Sequence, residues 1–335
     1  MAKVLILTDG KAGHENQSKA FARALGCEFD LVEVHFKSKF HKLLSYIFDH
    51  LWIRSLLLFL AAEGAQGGRK TLCPPCASEA LCGERKYCGV IGTGSGTFYA
   101  AKAMARNLGV KCGVVLYPRG YDIASFDCVL APAFDRPKSA VNVIEIPANL
   151  VANDEAFYEK GVAAFWEKRG KDFRRETGDS IAVIVGGPNK CSTMTPEWMK
   201  AQLDAIFNSN NQAIKQSDNL QFWVTTSRRT PPEVEAVVDS YPWDYKLLYS
   251  KDHFNPIPAF VKLAKKLYVT AESTGMLSES CTFGTAEVIA LDNLNPGPHK
   301  FRRFVEDLRK GGYVDGNRKV DLSAQFARAK ALMGL

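Results

Sequence analysis

A strand, a glycine-led turn and a helix follow one another in two distant parts of this chain. First, the apolar run Val4 to Leu7 leads into Asp9-Gly10-Lys11-Ala12-Gly13-His14 and a helical pattern from Asn16 to Leu25. Later, Ile181 to Val185 leads into Gly186-Gly187-Pro188-Asn189-Lys190. Such turns aim backbone N–H groups of a helix N-terminus at phosphate oxygens, although glycine also serves plain α/β connections. The pair predicts two nucleotide-type domains.

Length and the remaining pattern agree with two α/β domains. At 335 residues the chain exceeds a usual single core, and short apolar runs alternate with helical patterns throughout. This alternation predicts mostly parallel sheets covered by helices on both faces. We expect an N-terminal Rossmann-like domain over 1–170, a C-terminal one over 179–300, and terminal helices over 301–335 that cross back to the first domain.

The net charge and the cysteine content limit the ligands and the cellular compartment that we expect for this protein. A net charge of +7 suits phosphorylated ligands, an anionic membrane or nucleic acid, and does not choose among them. Nine scattered cysteines favour reduced thiols, and Met1-Ala2-Lys3 leads into a strand rather than a signal peptide. We expect a cytoplasmic protein.

A basic, leucine-rich segment follows the second predicted strand. Lys37, Lys39 and Lys42 lead into apolar residues up to Ala62, with Asp49, His50 and Arg54 as interruptions that argue against a membrane-spanning helix. We predict a helix over about 40–62 that faces an anionic membrane surface. A buried core helix explains the same pattern equally well.

The segment 73–88 is rich in cysteine. The first pair has the spacing of a metal knuckle, but the later cysteines do not form a second Cys-x-x-Cys. A structural zinc site is therefore one prediction, and a cysteine-rich surface insertion is the alternative. Its ligands would be Cys73, Cys76, Cys82 and Cys88.

The first turn also carries titratable groups. His14 has the best position in the chain for a general base, and Asp9 is placed to orient the imidazole or a substrate hydroxyl. A loop histidine is also commonly just solvated. The turn Gly92 to Thr97 lacks the Gly-Lys-Ser/Thr of a Walker loop, and we interpret it as a second phosphate or oxyanion cradle.

Two motifs in the second half suit a diphosphate sugar. The run Thr225-Thr226-Ser227-Arg228-Arg229-Thr230 ends a strand with guanidinium groups that match diphosphate geometry, unless they pair with Glu233 or Glu235. The stretch Thr270 to Ser280 places hydroxyl residues at a helix start, with Glu279 one turn in. The Glu279 carboxylate is positioned to accept hydrogen bonds from sugar hydroxyls, or else to complement the helix dipole.

Together these motifs resemble the mitochondrial-fission ELM-type family and its bacterial relatives. The resemblance is carried by Asp9 to Gln17, Gly186 to Asn189, Thr225 to Thr230, Thr270 to Glu279 and Lys300 to Phe304. It implies a GT-B-like α/β fold, in which two Rossmann-like domains with parallel sheets face across a cleft. This arrangement is like that of the membrane-peripheral transferase that adds N-acetylglucosamine to a lipid-linked peptidoglycan precursor, and the resemblance implies a glycosyltransferase.

The resemblance and the motifs assign roles to an acceptor-side group and a donor-side group of residues. Glu279 would bind the ribose of the donor nucleotide. The catalytic residues are His14 and Asp9, and the acceptor-side loops contribute Gly10, Gly13, Gly94, Ser95 and Thr97. The donor side comprises Gly186, Gly187, Asn189, Lys190, Ser227, Arg228, Arg229, Ser273, Met276, Ser278 and Glu279.

The main hypothesis is a metal-independent glycosyltransferase that moves a sugar from a nucleoside diphosphate to a hydroxyl acceptor, such as a lipid-linked cell-envelope glycan. No cofactor is required, since helix N-termini and cations stabilise the departing diphosphate. Expected partners are the nucleotide-sugar donor, that acceptor and an anionic membrane, but no nucleic acid. The protein would be cytoplasmic and peripheral on the inner face of the membrane. The alternatives are a nucleotide-sugar epimerase of the same fold and a non-catalytic membrane-associated adaptor.

Overall fold

A computed structural model describes residues 2–62, 69–71, 87–169, 179–216 and 220–335. The chain divides into two compact units, Met1–Ala152 with Asp321–Leu335, and Asn153–Val320. The first unit therefore ends near residue 152 rather than the expected 170. Of the terminal helices, the one around residue 305 belongs to the second unit, and only the last belongs to the first.

The first unit is built on one largely parallel sheet. Within the described residues its strand order is β4-β3-β2-β1-β5-β6-β7-β8, with β3 and β4 antiparallel at one edge. The strands are β1 Lys3–Thr8, β2 Glu28–Phe36, β3 Phe59–Ala62, β4 Arg69–Thr71, β5 Gly89–Thr93, β6 Lys111–Val115, β7 Cys128–Pro132 and β8 Val143–Ile146.

Helices cover both faces of this sheet: α1 Ala12–Leu25, α2 Lys39–His50, α3 Phe98–Leu108 and α10 Ser323–Met333. Phe21 of α1 and Met333 of α10 meet over Gly113 of β6, where a Cβ would lie 2.8 Å from Phe21. On the opposite face, α3 packs its alanine-rich side against Leu5 and Leu7. The last helix thus completes the core of the first unit.

The predicted helix over 40–62 is wrong in its second half. Helix α2 ends at His50, Trp52 adopts a left-handed φ of 58°, and Phe59–Ala62 form the edge strand β3. Asp49 explains the break, because its carboxylate is fully buried and accepts hydrogen bonds from Lys102 Nζ at 2.7 and 2.9 Å. A buried, paired carboxylate fixes the end of α2 to α3 and directs the chain back toward the sheet.

The second unit is a parallel five-stranded sheet in the order β11-β10-β9-β12-β13. Trp223 of β10 packs with Phe165 and Phe260 on one face, and Met199 and Leu203 cover the other. The strands are β9 Ser180–Ile184, β10 Gln221–Thr225, β11 Tyr245–Leu247, β12 Lys266–Thr270 and β13 Glu287–Leu291. The helices are α4 Glu155–Arg169, α5 Pro196–Gln216, α6 Pro232–Asp239, α7 Ile257–Leu263, α8 Thr274–Thr282 and α9 Lys300–Lys310. Two Rossmann-like units confirm the predicted α/β class with parallel sheets.

Each sheet has a point where the strand order reverses. Strand β1 is flanked by β2 and β5, and β9 is flanked by β10 and β12, in parallel in every case. In open α/β sheets, ligands bind at the carboxyl ends of the strands where such a reversal opens a crevice. We call the loops after β1 and β5 the first crevice, and the loops after β9 and β12 the second crevice.

Candidate functional site

An aspartate–histidine pair lies in the first crevice. Asp9 directly follows β1, and His14 is in the first turn of α1, which begins at Ala12 rather than at the predicted Asn16. His14 Nδ1 lies 3.0 and 3.1 Å from the two carboxylate oxygens of Asp9. The candidate base is therefore held by a helix and a carboxylate instead of being a mobile loop side chain.

The carboxylate of Asp9 is kept in its charged form. Burial acts to raise its pKa, but a 2.7 Å hydrogen bond from Lys11 Nζ and the neighbouring His14 outweigh burial and lower the pKa. A carboxylate on Nδ1 favours the imidazole tautomer that carries its proton there. Nε2 of His14, which has no hydrogen-bond partner among the described residues, is then the atom that can accept a proton.

The loop after β5 closes on this pair. Gly94 has a φ of +81°, and a Cβ there would lie 2.7 Å from His14 Nδ1, while one at Gly96 would lie 2.8 Å from Asp9 Cβ. Only glycine allows both approaches. The structure thus brings together the two glycine turns that the sequence assigned to the acceptor side.

The other residues predicted for the acceptor side differ in their exposure and in their hydrogen bonds. Ser95 is exposed, and its hydroxyl accepts a 2.9 Å hydrogen bond from Lys42 Nζ. Thr97 is buried, and its hydroxyl donates to Gly94 O at 3.1 Å, so it supports the loop instead of offering a cradle. Gly10 has a φ of +76° beside Glu33, whereas a Cβ at Gly13 would meet nothing within 4 Å.

The second crevice is organised by Glu272, which sequence reasoning included in a motif without giving it a role. Its buried carboxylate accepts hydrogen bonds from Gly187 N at 2.8 Å, Thr270 Oγ1 at 3.1 Å and Asn293 Nδ2 at 2.8 Å. Gly186 N donates to Thr270 Oγ1 at 2.8 Å. One side chain therefore ties together the loops after β9, β12 and β13.

This network corrects the predicted use of Gly186 and Gly187. Both N–H groups are already bonded inside the protein, and the next helix, α5, begins only at Pro196. The turn is therefore not at a helix N-terminus, and these two amides are not available for a phosphate. The helix that does begin at this crevice is α8, directly after Ser273, whose side chain forms no capping hydrogen bond.

The loop after β9 continues with Asn189 and Lys190. The Asn189 side chain accepts a hydrogen bond from Cys191 N at 2.7 Å, and the Lys190 side chain is exposed. Within α8, Met276 is half-buried. Ser278 is fully buried, with its hydroxyl 2.7 Å from Thr274 O, so it has no surface for a ligand and the donor-binding prediction for it is wrong.

Glu279 has partners that the sequence did not reveal. Tyr158 of α4 donates from its hydroxyl to Glu279 Oε1 at 2.8 Å, and the Asn153 side chain adds a second hydrogen bond. Burial is the largest influence on the carboxyl and raises its pKa in spite of these bonds. Tyr158 lies 121 residues away in sequence and is itself stacked on Phe283 at 4.4 Å, so no local pattern signals this contact.

The turn after β10 packs against the second crevice. Thr230 Oγ1 donates to Gly186 O at 2.6 Å, and a Cβ at Gly187 would collide with Arg229 O. The guanidinium groups of Arg228 and Arg229 are exposed and make no ion pair with a described residue. Among the described residues, neither Glu233 nor Glu235 pairs with them, and Glu235 Oε1 instead accepts the Ser250 hydroxyl at 2.6 Å.

Arg228 also lines a cleft of about 470 Å³ at the carboxyl ends of β10 and β11. The cleft offers two cations, two carboxylates and an aromatic ring, a lining that can hold a polar ligand of modest size. Its wall includes Ser227, Arg228, Thr230, Glu235, Asp239, Tyr249 and Lys251.

The zinc prediction rests mainly on Cys73, Cys76 and Cys82, which lie outside the described residues. Cys88 is described, and its thiol donates to Lys3 O at 3.1 Å and lies 4.0 Å from Cys27 Sγ. No group of three or more metal-ligating side chains occurs in the described ranges. The zinc site stays a prediction.

This protein is a two-domain Rossmann-like α/β protein. It has two doubly wound units in tandem, and each carries candidate residues where its strand order reverses. The chain belongs to the family described as "Mitochondrial fission ELM1", whose model matches residues 12–327. The motif resemblance predicted this family.

A curated relative is the "Uncharacterized protein RP120" of Rickettsia prowazekii (strain Madrid E), which is 29% identical over 132 residues. The match covers 38% of this chain and spans about a third, 35%, of the length of the relative.

Solved structures of several enzymes give a similar trace over 99% of this chain. MurG of Acinetobacter baumannii is 14% identical, with a TM-score of 0.45 and 91% of its own chain covered. A UDP-GlcNAc 2-epimerase from Neisseria meningitidis, bound to UDP-GlcNAc, is 11% identical, with a TM-score of 0.48 and 98% covered. A UDP-glucosyltransferase from Polygonum tinctorium is 10% identical, with a TM-score of 0.47 and 89% covered. Similarity at this level assigns no residue a role.

Proposed function

We propose that this protein is a glycosyltransferase that moves a sugar from a nucleoside diphosphate donor to a hydroxyl acceptor without a bound metal. The observation that carries the proposal is the Asp9–His14 pair, packed under Gly94 and Gly96 at the reversal of the first sheet. A carboxylate-held imidazole with one unengaged nitrogen is a suitable general base for a hydroxyl group.

In the proposed reaction, His14 Nε2 takes the proton of the acceptor hydroxyl. The acceptor oxygen forms a bond to the anomeric carbon of the donor, and the bond from that carbon to the diphosphate oxygen breaks. The electron pair leaves with the diphosphate, whose charge is offset by the N-terminus of α8 and by Arg228. Asp9 keeps the imidazole in the receptive tautomer and stabilises the imidazolium that forms.

The donor is assigned to the second crevice. Glu272 holds the loop after β9 in one shape, and Tyr158 and Asn153 hold the Glu279 carboxylate, which then receives the ribose hydroxyls. We also propose that the acceptor is a lipid-linked cell-envelope glycan. The protein would be cytoplasmic and would lie on the inner face of the membrane. It includes no cofactor and no nucleic acid.

Calorimetric titration with a panel of nucleoside diphosphates and their sugars tests the donor assignment. We expect one nucleotide to bind and its affinity to fall in Glu279→Ala but not in Glu233→Ala, an exposed glutamate of the same unit. Equal affinity in wild type and Glu279→Ala would remove Glu279 from the donor site. Incubation with the donor sugar alone tests the epimerase alternative, since only an epimerase releases an epimer without an acceptor.

The second candidate is a membrane-associated adaptor without catalysis. The observation that favours it is the apolar side of α2, where Phe40, Leu43 and Ile47 are exposed. Membrane binding with no nucleotide bound across the whole panel would support the adaptor and refute the transferase.

A further inference from the structure

Exposed large apolar side chains are concentrated in one short segment of the first unit. Of the eleven such residues in the described chain, seven lie between 40 and 57. Phe40, Leu43 and Ile47 lie on one side of α2, at the i, i+3, i+7 spacing of a single helix face. Four more follow between the end of α2 and strand β3. We call all seven the apolar patch: Phe40, Leu43, Ile47, Leu51, Trp52, Ile53 and Leu57.

The patch is held firmly from beneath. The opposite side of α2 buries Ser45, whose hydroxyl lies 2.9 Å from Tyr121, and Asp49, which binds Lys102. Asp122 N also donates to Asp49 Oδ2 at 2.6 Å. Because the helix is anchored by its other side, the exposed residues are not a misplaced core face.

The exposed charged side chains of the segment that carries the patch are all basic. Lys37 and Lys39 are exposed and form no ion pair with a described residue. The Arg54 side chain, in contrast, is buried, lies 3.3 Å from Asp49 Oδ1 and is 5.7 Å from the centre of the Trp52 ring. The segment from 37 to 60 contains a single carboxylate, Asp49, which is fully buried and paired. An apolar face edged by cations and a tryptophan complements a bilayer with anionic headgroups.

We propose that the apolar patch docks this protein on an anionic lipid bilayer. Leu43, Ile47 and Leu51 enter the acyl boundary, while Lys37 and Lys39 contact lipid phosphates. None of the described helices is long and apolar enough to cross a membrane.

Docking also places the first crevice near the lipid headgroups. Helix α2 begins just beyond the carboxyl end of β2, and Lys42 Nζ reaches Ser95 Oγ in the crevice at 2.9 Å. A hydroxyl acceptor carried by a lipid would meet the crevice at this depth. That consequence rests on the proposed function, but the docking itself does not.

Vesicle flotation tests the docking with full-length protein. We expect binding to vesicles of phosphatidylcholine and phosphatidylglycerol in equal parts, weaker binding to phosphatidylcholine alone, and a loss of binding at high salt. Leu43→Ser and Leu51→Ser should each weaken binding roughly tenfold or more, because each removes a side chain from the apolar phase. The matched control is Val141→Ser, since Val141 is 86% exposed in the same unit but lies outside the patch.

Trp52 supplies a direct reading of depth. Lipids with brominated acyl chains should quench the fluorescence of Trp52 when the protein binds. The quenching should be lost in Trp52→Phe, because the other four tryptophans lie outside the patch. If Leu43→Ser and Val141→Ser bind vesicles equally well, the patch is not the docking surface. If no vesicle binds and sedimentation shows an oligomer that Leu43→Ser dissociates, the patch covers a second copy of the chain. Nucleotide titration of Leu43→Ser should match wild type, which separates failure here from failure of the proposed donor site.

Discussion

Removing the Glu272 carboxylate should destabilise the second unit strongly, whereas replacing it with an amide should not. In Glu272→Ala, the N–H of Gly187 and the side-chain N–H of Asn293 both lose a buried acceptor. The Thr270 hydroxyl also loses its acceptor, but it can rotate. The alanine variant therefore leaves two orphaned donors in the interior.

The size of the effect follows from that count. Each buried donor left without a partner costs about 1–3 kcal/mol, so the two together cost about 2–6 kcal/mol. This is a large part of the 5–15 kcal/mol that stabilises a typical domain. Glu272→Gln keeps one acceptor for Gly187 N. Asn293 Oδ1, a buried atom without a partner, can turn toward the new amide, so we expect a loss of about 1 kcal/mol.

Tryptophan fluorescence can follow the second unit alone. Four of the five tryptophans, at 166, 198, 223 and 243, belong to that unit, and the fifth is Trp52. Urea unfolding in a Trp52→Phe background would therefore report the unfolding free energy of the second unit, with Glu233→Ala as the control. An alanine variant within about 0.5 kcal/mol of its parent would refute the role given to Glu272, because that is the scatter of ordinary surface changes.

Three further predictions concern single groups. Gly96→Ala should abolish the proposed sugar transfer while Gly13→Ala should not, because only the Cβ at position 96 would strike Asp9. Equal activities of the two variants would contradict this. The raised pKa of Glu279 means that the folded state holds the proton more tightly, so second-unit stability should fall as pH rises above the usual glutamate pKa. That fall should be missing in Glu279→Gln, and urea midpoints across pH measure both. Lys102→Met should destabilise the first unit by about 1–3 kcal/mol, because the buried carboxylate of α2 loses its closest cation but keeps Arg54 at 3.3 Å, and faster hydrogen exchange in α3 would show it.

The sequence predicted those parts of the fold that local periodicity encodes. The run Val4 to Leu7, the turn at Asp9 and the following helix form one continuous stretch, so their hydrophobic pattern carries their structure. Helix α1 begins at Ala12, four residues before the predicted start, because Gly13 and His14 are weak helix formers that tertiary contacts hold in the helix.

The missed features depend on distant partners. The end of α2 depends on a lysine 53 residues away from Asp49, and the shape of the second crevice on Glu272, 85 residues from Gly187. Leucine-rich sequence alone could not show that the helix stops at His50 and that the chain returns as strand β3. Contacts at such separations leave no periodic signal within a local window.

The return of α10 to the first unit has a consequence for synthesis on the ribosome. The core around Gly113 needs Met333, which is made only after all of residues 153–320. At common elongation rates, that interval lasts roughly 10–30 s. The second unit can fold as soon as it has left the exit tunnel. In the first unit, Phe21 and the sheet stay uncovered until α10 has been synthesised. The unit that is synthesised first is therefore completed last, and we expect the nascent protein to expose aggregation-prone apolar surface during that interval.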